Sequence, residues 1–160
     1  MRIIILFMIV GNILFANSIL GYWMTQEGKN GKEAIVLIEK EKNTYIGKIK
    51  YIATVDKNFN IISYTNKDEI IDFELVKDFQ KVDDVTYKKG RIIDPKSSRE
   101  YYASVKLEGN KFILKGSLDP HGILGAKRVW KKIDKEYIKK YGDEKLWWIK
   151  ESYLLMRECI

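Results

Sequence analysis

Cysteine, histidine and proline are nearly missing from this chain of 160 residues: one, one and two respectively. Cys159, next to last, has no partner in its own chain, so no internal disulfide staples the fold. It serves as an ordinary terminal residue or as half of an intermolecular bridge, and the absence of a cysteine near the start excludes a lipid anchor on a processed N-terminus. His121 stands alone in Asp119-Pro120-His121-Gly122, a turn signal. A histidine metal site or a Ser–His–Asp triad needs more partners than that. Phosphate-binding loops, Gly-rich dinucleotide fingerprints and nucleophile elbows are all missing. Asp56-Lys57-Asn58-Phe59-Asn60 opens with calcium-loop spacing, but Ile61 stands where glycine is required and Lys67 where an acid is required. No metal and no cofactor are expected.

Long apolar runs are also scarce, and the one that exists lies at the start. Met1-Arg2 supplies a positive flank, Ile3 to Phe15 an apolar run, and Ala16-Asn17-Ser18 small residues. This is the three-part layout of a secretory signal peptide, and it is short for a membrane span. Residues 1–18 therefore read as a signal peptide, cleaved after Ala16 or Ser18, and the mature chain as periplasmic or secreted, not integral to the membrane. The net charge is +7, from 29 Lys+Arg against 22 Asp+Glu. Those cations are scattered, which suits solvated strand faces better than a nucleic-acid patch, and leaves an anionic envelope surface as a partner.

What fills residues 19–133 is a series of short alternating runs. Thr44 to Val55 sets Tyr45, Gly47, Ile49, Tyr51 and Ala53 against Lys48 and Lys50. Lys111 to Leu118 sets Phe112, Leu114, Gly116 and Leu118 against Ile113, Lys115 and Ser117. Period-two alternation marks half-buried strands. The clearest hairpin runs from Lys88 to Val105: a strand through Gly90 to Ile93, turn chemistry in Asp94-Pro95-Lys96-Ser97-Ser98, and a second strand alternating Tyr101, Ala103 and Val105. Further strands are expected at Ile19–Thr25, Glu33–Glu41 and Ile123–Ile133. Asp56 to Asp72 reads as a long loop with a short strand at Asn60–Tyr64, and Phe73–Lys81 as a strand or a helical turn. With no helical crossovers the sheet is antiparallel. Seven or eight such strands hide their edges best by closing into a single up-and-down barrel, with a sandwich as the alternative.

From Asp134 the pattern changes to helical. Asp134 and Asp143 suit N-caps and Gly142 a stop, and Leu146, Ile149, Tyr153, Met156 and Ile160 share a helix face. Residues 134–160 thus read as a C-terminal helical extension that packs on the barrel or contacts a partner.

The order Gly21-x-Trp23, then Tyr87-x-x-Gly90-x-Ile92-x-Asp94-Pro95, then Tyr102, Lys115-Gly116, Leu124-Gly125 and Trp130-x-Lys132 resembles the exported bacterial family known as domain of unknown function 2147 (DUF2147). The family pattern reads GxW, WxxGxIxDP, a Tyr, RGxxG and GRTxxWxR, and the resemblance covers about residues 19–133. Tyr87, Ala126 and Lys132 depart from it, standing where the family has Trp, Arg and Arg. The resemblance implies a lipocalin- or calycin-like barrel of about eight strands and no established activity. It also implies that Gly21, Trp23, Trp130 and a cation, Arg128 or Lys132, close one barrel end by a cation–π contact.

Tyr45, Tyr51, Tyr101 and Phe112 are then the inward aromatics that would line a cavity, or fill a small core. Gly90, Asp94 and Pro95 form the hairpin motif, with Asp94 a turn former. Three roles follow from these residues: non-catalytic binding of a small apolar or amphipathic ligand; a scaffold contacting an envelope partner through its basic surface or C-terminal helix; and an enzyme, which would need acids converging in a cavity.

Overall fold

Residues 18–26 and 30–138 are described by a computed structural model of the protein. Their strands are β1 (Gly21–Met24), β2 (Lys32–Glu41), β3 (Thr44–Val55), β4 (Ile61–Thr65), β5 (Glu74–Lys81), β6 (Thr86–Ile93), β7 (Glu100–Glu108), β8 (Lys111–Ser117) and β9 (Gly125–Ile133). Each ring neighbour pairs antiparallel. The order runs β1-β2-β3-β5-β6-β7-β8-β9 and returns to β1 through Trp23↔Lys132. Eight strands thus form a closed barrel, and closure leaves these strands without a free edge. The turn between β7 and β8 is made at Gly109, whose φ of +57° costs a glycine little.

Two hydrophobic clusters form, and one sequence device separates them. Inside the barrel, Trp23, Ile49, Val76, Phe79, Phe112, Leu114 and Trp130 are packed with almost no exposure. A second cluster, Met24, Ile35, Ala53, Val55, Ile61, Ile133 and Ile138, lies against Tyr22, Tyr51 and Tyr64. The device is a β-bulge. Val36 faces Ile49 and Ile35 faces Tyr51, so Lys50 is an extra residue on β3. One extra residue inverts the side-chain alternation beyond it. Ile49 therefore belongs to the interior, while Tyr51, Ala53 and Val55 belong to the second cluster. The expectation that Tyr45, Gly47, Ile49, Tyr51 and Ala53 share a face fails at this bulge.

The far half of β3, from Ile52 to Val55, pairs with β4 outside the ring. The short strand expected at Asn60–Tyr64 is thus a ninth strand appended to the eight. Residues 66–73 then return to the barrel, where Ile70, Ile71 and Phe73 pack on the main core. They are tied to β3 by Ile49 N–H to Phe73 O at 3.0 Å and Asp72 N–H to Ile49 O at 2.7 Å. Phe73–Lys81 resolves as strand β5.

A first helical turn at 135–138, α1, follows β9. Asp134 caps it by accepting the Glu136 N–H at 2.9 Å. Ile138 is buried in the second cluster, and its carbonyl accepts the Tyr64 hydroxyl. The helical stripe expected from Leu146 and the signal peptide expected at the start fall on residues outside the described ones, apart from Ser18.

Candidate ligand site at the open end of the barrel

The end of the barrel where β1 begins and β9 finishes is sealed. Trp23, fully buried, donates its indole N–H to Ile19 O at 2.7 Å. Its ring packs on Phe112 at 5.2 Å, and Phe112 stacks on Trp130 at 4.8 Å with only 8° between planes. Lys132 places its ammonium 4.2 Å from the Trp23 ring centroid and donates to the Ser18 carbonyl at 3.2 Å and to that of Leu20. Burial pushes the Lys132 ammonium down to about 8, which still leaves it charged at neutral pH. Gly21 makes the approach possible: its φ is +105°, and a Cβ there would stand 3.3 Å from the Lys132 nitrogen.

The opposite end is open. The last residues of β6 and β8 and the first of β7 and β9 surround a cleft of ≈ 770 Å³. Ile92, Tyr101, Leu114, Gly116 and Ala126 give it an apolar lining, with Leu118 and Leu124 at the lip and Arg99 and Arg128 at the rim. Gly116 keeps the cleft wide, because a Cβ there would meet only Ile92, at an ordinary 3.5 Å. This combination, apolar walls with a few cations converging on them, is chemically suited to a molecule with an apolar body and an acidic group.

The sequence pattern of the bacterial family described as "Uncharacterized protein conserved in bacteria (DUF2147)" matches residues 21–132. The chain belongs to DUF2147. Among solved structures, it is similar to HP1028 of Helicobacter pylori, described as belonging to the lipocalin family. The identity is 20%, the match covers 78% of this chain and 89% of HP1028, and the TM-score is 0.58. That likeness concerns the fold. No curated protein sequence matches.

Within this DUF2147 chain the predicted residues separate. Of the four expected cavity aromatics, Tyr101 lines the open cleft. Phe112 is buried in the aromatic stack of the sealed end, where it fills space. Tyr45 packs on the main core with its ring edge-on to Tyr87 at 5.2 Å. Tyr51 is carried to the second cluster by the Lys50 bulge, where it meets Tyr64 edge-on at 5.1 Å. The structure does not bring these four rings together.

The closure residues do converge, with Lys132 as the cation over Trp23. Arg128, four residues earlier on β9, lies at the rim of the open cleft. Where the family pattern has arginine, Ala126 lines the same cleft and leaves room in it. Tyr87, in place of the family tryptophan, is buried against Tyr45. Gly90 lets the Phe79 ring lie on the β6 backbone, since a Cβ there would come within 2.4 Å of it.

Asp94 acts as a turn residue. Its carboxylate accepts the Ser97 hydroxyl at 2.7 Å and the Lys96 N–H at 2.9 Å, and these bonds hold its pKa below the ordinary value. Pro95 sits in the same turn. Sequence reasoning missed Ile92, Leu114 and Gly116 as lining residues. The signal was present in the alternation Phe112, Leu114, Gly116, which runs from the sealed end to the open one along one face of β8.

Proposed function

We propose that this protein is a non-catalytic binding protein of the bacterial envelope that seats one small amphipathic, acidic ligand in the open cleft. The carrying observation is the cleft itself: Ile92, Tyr101, Leu114 and Gly116 as an apolar floor under Arg99 and Arg128. An eight-stranded barrel interior is either filled or holds one small ligand. Here the sealed half is filled by Trp23, Phe112 and Trp130, so the ligand seat is shallow and lies at the mouth. The envelope location draws on the signal-peptide layout of Met1 to Ser18. A second reading, a scaffold contacting an envelope partner, draws on that same filled half and on the basic surface.

Titration with the anionic apolar probe anilinonaphthalene sulfonate tests the first reading. The full chain takes up one probe, and Gly116→Leu, which fills the cleft floor, weakens uptake at least tenfold while the melting temperature holds. Equal uptake by Gly116→Leu, or none by the parent, favours the scaffold.

A further inference from the structure

The loop from Leu118 to Leu124 carries three large apolar side chains in the open: Leu118 at 71%, Ile123 at 80% and Leu124 at 66% exposure. The loop is held in this shape. Its own Asp119 carboxylate accepts the N–H groups of His121, Ile123 and Leu124 at 2.9, 3.1 and 2.7 Å. The Ser117 hydroxyl donates to the Asp119 carbonyl at 2.6 Å, and the Leu118 N–H to the Leu124 carbonyl at 2.9 Å. Ile123 and Leu124 are thereby drawn out of the β9 strand expected to include them. The bonds to Leu124 and Ile123 hold the Asp119 carboxyl below its ordinary pKa.

Cations flank this tip on both sides. On one side are Arg99 and Arg128 of the mouth. On the other lies a cleft of ≈ 490 Å³ lined by Lys88, Lys89, Arg91, Lys115 and Ser104, with Pro120 and His121 as its loop wall and no carboxylate among its lining residues. A bulge creates the lysine pair. Tyr87 pairs with Val105 and Gly90 with Ala103, so Lys88 and Lys89 together oppose Ser104. The bulge holds Lys89 at φ +59°, a conformation that side chains rarely adopt. Arg91 lies against the Tyr102 ring, its guanidinium carbon 3.9 Å from the ring centroid.

Apolar side chains at a tip with lysines and arginines at its base match a bilayer interface. The apolar groups enter the headgroup–acyl boundary while the cations meet phosphates. We propose that the open end of the barrel docks on an anionic phospholipid surface, with Leu118, Ile123 and Leu124 inserted and Lys88, Lys89, Arg91 and Lys115 on the headgroups. Charge complementarity selects an anionic bilayer over a neutral apolar partner. This docking is independent of whether the mouth cleft holds a ligand.

Co-sedimentation of the full chain with vesicles tests it. The expected result is binding to equal parts phosphatidylglycerol and phosphatidylcholine that weakens with salt and is absent with phosphatidylcholine alone. Replacing Leu118, Ile123 and Leu124 together by Asp lowers partitioning by at least about tenfold. Lys88→Gln with Lys89→Gln lowers it by about twenty-five-fold, or fivefold per cation. Lys89→Gly removes one charge and the backbone strain together, so it loses about fivefold in binding while its melting temperature holds or rises. Partitioning unchanged in the apolar-tip variant, equal binding to phosphatidylcholine, or no vesicle binding by the parent overturns the proposal. Inorganic phosphate retained by a chain that ignores vesicles would mark the basic cleft as a free-anion site and overturn it equally.

Discussion

The two ends of this barrel are built from the same strands and have opposite designs. At the sealed end the large inward side chains partner one another: Trp23 on Phe112, Phe112 on Trp130, Lys132 on Trp23 and on two carbonyls. At the open end the inward positions of β8 and β9 shrink to Gly116 and Ala126, and three large apolar residues, Leu118, Ile123 and Leu124, stand in solvent. Following β8 from Phe112 to Gly116 crosses from one design to the other within five residues. The difference is one of filling: stacked aromatic rings occupy one end, and small inward residues leave a cleft at the other.

The strongest way to break that comparison is Trp23→Ala. A fully buried tryptophan with ring and hydrogen-bond partners is expected to cost about 3–5 kcal/mol on truncation, read by denaturant unfolding. An unchanged melting temperature would show that the sealed end is not what holds the barrel.

A smaller and sharper contrast comes from the same substitution at both ends. Gly21→Ala forces a side chain into φ +105° and toward the Lys132 nitrogen, for a loss of about 1–3 kcal/mol. Gly116→Ala meets only ordinary contact with Ile92 and is expected to be neutral or stabilising by up to about 1 kcal/mol, through reduced freedom of the unfolded chain. Equal costs at the two positions would erase the distinction between the ends.

A further contrast is in pH. Lys132 titrates at about 8 when folded, against about 10.4 in an unfolded chain. Between those values the unfolded state binds more protons, so the contribution of Lys132 to stability rises with pH across that window and is flat below it. In Lys132→Met this rise disappears. The difference between parent and variant unfolding midpoints, followed from pH 7 to 10.5, measures it.

Much of the fold was legible because period-two alternation is a local signal. Thr44–Val55 is a single strand as expected, and the hairpin around Asp94-Pro95 has its turn where the residues put it. Which face each residue takes was less legible. A bulge leaves no mark in composition, and Lys50 inverts the assignment of Tyr51 without any glycine or proline to announce it. The loop apolars Ile123 and Leu124 read as strand because nothing local says that Asp119 will capture their N–H groups. Arg128 and Lys132 have the same parity on β9, and four residues of strand rise separate them to opposite ends of the interior.

By itself, then, the sequence determined most of the strands, the turns and an antiparallel all-β fold, and the family resemblance added the barrel and the small set of residues that close it. Alternation, turn chemistry and the need to hide strand edges act through neighbours in the chain. Only the tertiary structure decided which inward residues meet. It gathered Phe112 into a packed stack, left Tyr101 at an open cleft, and set the exposed Leu118–Leu124 tip beside the Lys88–Lys89 bulge. Those meetings depend on register around a closed ring, where a one-residue bulge in one strand reassigns side chains far from it in sequence.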